Sequence, residues 1–256
     1  MIKERSALSI MAFLFLLVIA GCQSDKEKEG KRELVISAAA SLQQALTEIE
    51  HNYEGENEGI SLVFNYGGSG ALQHQIQNGA PVDLFISAAV EPFELLLEDG
   101  WVEEGNNKFL GNELVLITSR QMGIEGIESL ESASKIAIGS PESVPAGQYA
   151  KQSLETMGLW ETIGDKLIYT KDVTQVLTYV ETGNAEAGFV YATDALSSDK
   201  VKVIETIPTD FHEEIIYSAG VISSSKRKAE AKDFYTYLQS EEALKIFNQY
   251  GFKGLD

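Results

Sequence analysis

Residues 33–49 read ELVISAAASLQQALTEI, and this stretch decides the fold. Leu34-Val35-Ile36 is a short apolar run of the kind that forms a buried strand. Ala38-Ala39-Ala40 is a loop of small residues. Leu42, Ala45, Leu46 and Ile49 then fall at i, i+3, i+4 and i+7, one face of an amphipathic helix. The unit is strand, small loop, helix, with Ser41 at the helix entrance. The same order returns along the chain. Ile60 to Asn65 is a strand leading through Gly67-Gly68-Ser69-Gly70 into a helix stopped by Asn78-Gly79 and Pro81. Val82 to Ile86 is a strand, and Pro92 suits the first turn of the next helix, which runs to Gly100. Strands at Ile136-Ala137-Ile138 and Leu167-Ile168-Tyr169 precede a helix from Ala146 to Met157 and another with Val173, Val176, Leu177 and Val180 on one face. Gly158 and Gly183 close these helices, and Asp172 caps the second. Ala187 to Tyr191 and Val201 to Ile204 are strands. Two helices, about Lys226–Gln239 and Glu241–Tyr250, end the chain.

This alternation predicts an α/β fold with mostly parallel sheets flanked by helices. The β-rich runs Leu114–Thr118 and Ile215–Ile222 are expected to cross between two lobes, with a ligand cleft where the lobes meet. The expected division puts 33–117 and 219–256 in lobe 1, discontinuous in sequence, and 118–218 in lobe 2.

The start of the chain is an address. Lys3, Glu4 and Arg5 precede an apolar run from Ala7 to Ala20, too short for a confident spanning helix and typical of a signal peptide over 1–21. The run ends Ile19-Ala20-Gly21-Cys22, which resembles a bacterial lipobox, and Cys22 is the one cysteine of the chain. Acylation at Cys22 would hold the protein outside the cytoplasm on the cell membrane, with 22–32 as a polar tether. One cysteine also excludes an internal disulfide and a cysteine-based zinc site. The 256 residues carry a net charge of −19, and removal of the signal peptide makes it one unit more negative. That balance argues against nucleic acid as a partner, because phosphate contacts need clustered Lys and Arg.

Four helix entrances share one chemistry. Ser41, Ser69, Ala146 and Val173 each follow the carboxyl end of an expected strand. The first N–H groups of a helix have no intrahelical partner and carry partial positive charge, so such ends attract anions. No Lys or Arg occurs in Ser37–Leu46, Tyr66–Ile76, Gly139–Ala150, Asp172–Val180 or Gly188–Leu196. An anion held where these segments converge meets neutral donors, and the serine hydroxyls and the Tyr191 phenol can join them. The long-range field of an acidic chain is screened over about 8 Å in physiological salt, whereas donors at contact distance are not. Hydrogen bonds to a charged group contribute about 1.5–3 kcal/mol each. Half a dozen support binding of about −8 to −12 kcal/mol, submicromolar or better. Each position also has an ordinary reading: a serine N-cap, a glycine turn, a core valine, a half-buried tyrosine. Glu142, Asp172 and Asp194 place negative charge near the proposed anion, and only capping would turn Asp172 away.

The quoted segments, taken in order, resemble the molybdate-binding proteins of bacterial ABC importers. The resemblance spans Leu34 to Phe252. It rests on Ala38-Ala39-Ala40-Ser41-Leu42, Gly68-Ser69-Gly70-Ala71-Leu72, Gly79-Ala80-Pro81-Val82-Asp83-Leu84-Phe85-Ile86-Ser87-Ala88 and Val144-Pro145-Ala146-Gly147-Gln148-Tyr149-Ala150. Asp172-Val173, Gly188-Phe189-Val190-Tyr191-Ala192-Thr193-Asp194-Ala195 and the ending Ile246-Phe247-Asn248-Gln249-Tyr250-Gly251-Phe252 complete it. It implies a two-lobed periplasmic-binding-protein fold of type II that closes on a tetrahedral oxyanion, molybdate or tungstate. The ligand positions it implies are Ser41 and Ser69 in one lobe and Ala146, Val173 and Tyr191 in the other. It implies no cofactor, a monomer, and delivery to a membrane permease driven by a cytoplasmic ATPase. The loop before Ser69 departs from some members in carrying glycines where they have serines.

Two alternatives stand beside this reading. One is a sulfate, thiosulfate or phosphonate receptor on the same scaffold. The other is a serine hydrolase using Ser41 or Ser69, which Gly67-Gly68-Ser69-Gly70-Ala71 fits badly because Ala71 replaces the last glycine of G-x-S-x-G. A triad would also need His51, His74 or His212. The chain has no P-loop, so it does not itself hydrolyse ATP. The expectation is a binding protein and no enzyme.

Overall fold

A computed structural model describes residues 30–120 and 124–255, and the expected signal peptide and Cys22 lie outside them. β1 (Arg32–Ala39) starts exposed and becomes fully buried at Leu34 and Ile36. It passes through one 3-10 turn at Ala40–Leu42 into α1 (Gln43–Glu56). The apolar stripe read from the sequence is the buried face: Leu42, Leu46 and Ile49 are completely covered. Burial of each such side chain contributes about 1.5–3 kcal/mol. β2 (Ile60–Gly67) leads to α2 (Ser69–Gln77), and β3 (Leu84–Ser87) to α3 (Val90–Glu98). β4 (Val102–Gly111) and β5 (Leu114–Ser119) follow with two residues between them.

β6 (Ile136–Gly139) leads into α4 (Pro145–Thr156), where Pro145 at the first position is preorganised for the helix. α5 (Trp160–Ile163) is a single turn before β7 (Leu167–Thr170). α6 (Val173–Glu181) is capped as expected: the Asp172 carboxylate accepts the Gln175 N–H at 2.8 Å. The φ of +71° at Gly183 is a left-handed stop that a side chain would strain. β8 (Ala187–Tyr191), α7 (Ala192–Leu196), β9 (Val201–Thr206) and β10 (Ile216–Ile222) come next. α8 (Lys228–Leu238), α9 (Glu241–Gln249) and β11 (Lys253–Gly254) end the described chain.

The strands form two sheets, ordered β11-β4-β10-β3-β1-β2 and β7-β6-β8-β5-β9. The expectation of mostly parallel sheets needs correction, because each sheet is mixed. In the first, β1 runs parallel to β2 and β3, while β10 runs antiparallel to β3 and β4. In the second, β6 runs parallel to β7 and β8, while β5 runs antiparallel to β8 and β9. The parallel strands are the ones joined by helical crossovers. The antiparallel pairs join strands far apart in sequence, where the chain enters or re-enters a sheet.

β5 pairs wholly within the second sheet, so the passage out of the first sheet falls at residues 112–113, earlier than the expected boundary after 117. β10 starts at Ile216 in the first sheet, so the return runs through 207–215. β4 was not expected from the sequence. Its residues, VEEGNNKFLG, lack apolar alternation, and the strand is held by pairing with β10 and β11.

Register aligns the carboxyl ends. Ala39 pairs with Gly67 and Ala38 with Ile86, so the loops after β1, β2 and β3 leave the first sheet side by side. Gly139 pairs with Thr170 at the ends of β6 and β7. Ligands of open α/β sheets bind outside these ends.

Candidate functional site

The loops leaving the two sheets converge on one small cavity of about 10 Å³. Ser41, Ser69, Ala146, Val173 and Tyr191 all line it, so the structure brings every expected position together. Its walls are otherwise small or apolar residues, such as Ala40, Gly68, Ala88 and Val144, with no charged side chain among the described residues that form them. Ser69 and Val173 are first residues of α2 and α6, and Ala146 is the second of α4. Ser41 lies in the 3-10 turn ahead of α1, a tighter entrance than the expected α-helical one. A larger groove of about 280 Å³ runs outside Ser41 past Thr174, Asp194 and Tyr250. It is walled mainly by helix side chains, whereas the small cavity collects the helix starts.

The hydroxyls in the cavity have assigned directions. The Ala88 N–H donates to Ser69 Oγ at 2.9 Å, which leaves the Ser69 hydrogen for another partner. Ser41 Oγ lies 2.8 Å from the Tyr217 hydroxyl. The Tyr191 hydroxyl makes only a long contact, 3.5 Å, to the Ala88 carbonyl. Burial holds the Tyr191 phenol well above its ordinary ionisation range, with Tyr217 and Tyr149 adding to the effect, so it stays a neutral donor.

The nearby carboxylates are turned away. Asp172 caps α6, as described. Asp194 accepts the Tyr191 N–H at 3.1 Å and faces the outer groove. Burial pushes the Asp194 carboxyl up to about 7, against the lowering effect of that N–H, and Asp172 raises it further. Glu142 is exposed and does not line the cavity. None of His51, His74 and His212 lines it either, so neither serine has the base that a hydrolase needs. His212 is buried, with Nδ1 2.6 Å from the Glu213 carbonyl.

The two sheets touch over the cavity. The Gly70 N–H donates to the Ser143 carbonyl at 3.0 Å. At Gly68, φ −68° and ψ 135° suit any residue. A Cβ there would nonetheless lie 2.7 Å from the Ser143 oxygen and 3.1 Å from the Lys171 oxygen. The glycine is required by the other sheet's backbone and not by its own.

A family profile described as bacterial extracellular solute-binding protein matches residues 34–253. The chain belongs to this family. Its members are solute-binding proteins and not enzymes. Bacillus subtilis YvgL is 47% identical over 97% of this chain and 98% of its own; its name describes it, provisionally, as an ABC transporter substrate-binding lipoprotein. The molybdate-binding protein ModA of Escherichia coli is 36% identical over 88% of this chain and 89% of its own. The solved periplasmic molybdate-binding protein of Azotobacter vinelandii superposes with a TM-score of 0.78 at 23% identity, covering 87% of this chain and all of that one. The solute-binding protein thus has the periplasmic-binding-protein fold.

Periodicity did not reveal Tyr217 or Ala88, the neighbours of the two serine hydroxyls. Tyr217 lies in a continuous apolar strand, and Ala88 acts through its backbone, which carries no signature in a side-chain pattern.

Proposed function

We propose that the chain is the solute-binding component of a bacterial ABC importer and that its solute is molybdate, with tungstate as the other accepted dianion. The observation that carries this reading is the convergence of five positions from both sheets on one cavity with no charged wall. Ser41 and Ser69 supply hydroxyls and backbone N–H groups, Ala146 and Val173 supply backbone N–H only, and Tyr191 supplies its phenol. The side chains of Ala146 and Val173 then need no polarity. ModA's name and its 36% identity support the choice of oxyanion.

The division into lobes follows the sheets: β1 to β4 with β10 and β11 form one lobe, and β5 to β9 the other. Residues 112–113 and 207–215 are the hinge about which the lobes open and close. The monomer delivers its load to a membrane permease driven by a cytoplasmic ATPase. An acyl group on Cys22 keeps it at the cell membrane, a reading supported by the lipoprotein name of YvgL.

Selectivity follows size and protonation. Molybdate and tungstate have longer metal–oxygen bonds than the bonds in sulfate, so a cavity shaped for them holds sulfate loosely. Phosphate is partly protonated at neutral pH and wants an acceptor that this wall lacks. Isothermal titration with the four anions tests this. Submicromolar binding of molybdate and tungstate with sulfate and phosphate at least about a hundredfold weaker, 2.7 kcal/mol, is expected. Sulfate or phosphate binding as tightly as molybdate overturns the assignment.

A further inference from the structure

The Ser41 hydroxyl can serve a dianion only if its hydrogen points into the cavity, and the residues behind it decide that. The chain of contacts starts at Asn112, in the passage between β4 and β5. The Glu113 N–H can only donate, and it lies 2.9 Å from Asn112 Oδ1, which fixes the amide's orientation. The amide nitrogen therefore faces the other way. It donates to the Tyr217 hydroxyl at 3.2 Å and to Thr193 Oγ1 at 2.9 Å. Tyr217 is fully buried, and its oxygen already accepts from Asn112. Its single hydrogen goes to the remaining neighbour, Ser41 Oγ, at 2.8 Å. Ser41 then accepts from the protein, and its own hydrogen is free for the cavity.

We infer that Asn112 and Tyr217 are positioning residues that lock the Ser41 hydroxyl as a donor into the cavity. The inference rests on the oxyanion reading above and extends it to selectivity. Ala88 does the same for Ser69 from the backbone, so each serine accepts from the protein and keeps its hydrogen for the cavity. A fully deprotonated oxyanion matches such a donor-rich wall better than an oxyanion carrying a proton, which needs an acceptor. Asn112 also joins the two sheets, with Tyr217 on β10 of the first and Thr193 beside β8 of the second. The direction of the Ser41 hydrogen is thereby set by a residue in the passage between lobes.

The test is a double-mutant cycle on the purified chain, with molybdate titrated into wild type, Tyr217→Phe, Ser41→Ala and the double variant. Tyr217→Phe is expected to weaken molybdate about tenfold, the size of one hydrogen bond to a charged group. The double variant is expected to bind within about twofold of Ser41→Ala alone, because Tyr217 acts through Ser41. Unchanged binding in Tyr217→Phe, or losses that multiply in the double variant, overturns the inference. Asn112→Asp is the second arm and decides the matter if Tyr217→Phe does not fold. Its carboxylate accepts the Tyr217 hydrogen, which turns a Ser41 lone pair toward the cavity. The ratio of hydrogen phosphate to molybdate affinity should rise by about tenfold, and an unchanged ratio overturns the inference. Wild type that binds no molybdate sinks the oxyanion reading itself, a result distinct from a cycle that is additive.

Discussion

Asp194 shows how much a single buried group adjusts around the cavity. Its carboxyl is pushed up to about 7 from an ordinary 3.8, so the folded chain holds this proton more tightly than the unfolded chain does. The stability it contributes is present below the unfolded value and is lost as pH rises toward about 7. Asp194→Asn keeps an acceptor for the Tyr191 N–H and cannot ionise. Thermal melts from about pH 4.5 to 7.5 should fall more steeply in wild type than in Asp194→Asn, and parallel curves would count against the buried carboxyl. At this scale the sequence was informative where chemistry repeats. Ser41, Ser69, Ala146 and Val173 stood out because small residues recur at helix entrances. Tyr191 came from family resemblance. Asn112 and Tyr217 were silent, since an isolated asparagine and a tyrosine in an apolar run look like a turn and a core.

Among the elements, the loop entering α2 has the sharpest consequence. Gly68 carries ordinary backbone angles, so alanine costs the first sheet's own structure little. Its methyl would instead meet the Ser143 oxygen at 2.7 Å. The cost, about 1–3 kcal/mol for overpacking, falls on the arrangement in which the two sheets touch. Gly68→Ala should therefore weaken molybdate binding roughly five- to hundredfold while shifting the ligand-free melt much less. Calorimetry and a thermal scan on the same sample check this; equal losses in both would place the strain inside the first sheet. Helices with a clear period were legible almost to the residue, as α4 and α6 show, while β1 and β2 were placed correctly but run longer than expected. β4 was not, because its stability comes from neighbours far away in sequence and not from its own composition.

Across the whole molecule, charge and site oppose each other. The chain's net charge of −19 repels a dianion at a distance, while the proposed site would hold it by neutral donors at contact. Salt shortens the reach of the repulsion from about 30 Å at 0.01 M to about 8 Å at 0.15 M. Stopped-flow association of molybdate, followed by intrinsic fluorescence, should accelerate several-fold over that range of sodium chloride. A rate that falls with salt would mean that a cationic surface steers the anion in. The two-sheet plan was legible in outline because strand and helix alternate throughout. The points of passage were not, since Asn112-Glu113 has no feature that distinguishes it from an ordinary turn.

The seat of β10 between β3 and β4 also dictates an order of assembly. β5 to β9 come from one uninterrupted stretch, 114–206, and can associate as soon as that stretch is available. β3 and β4 have no shared edge until residues 216–222 arrive to join them. Late pairing of this kind is slow, because a long loop must close first. The amino-terminal half therefore stays unfinished, and so pliable, until residues 216–222 have joined it.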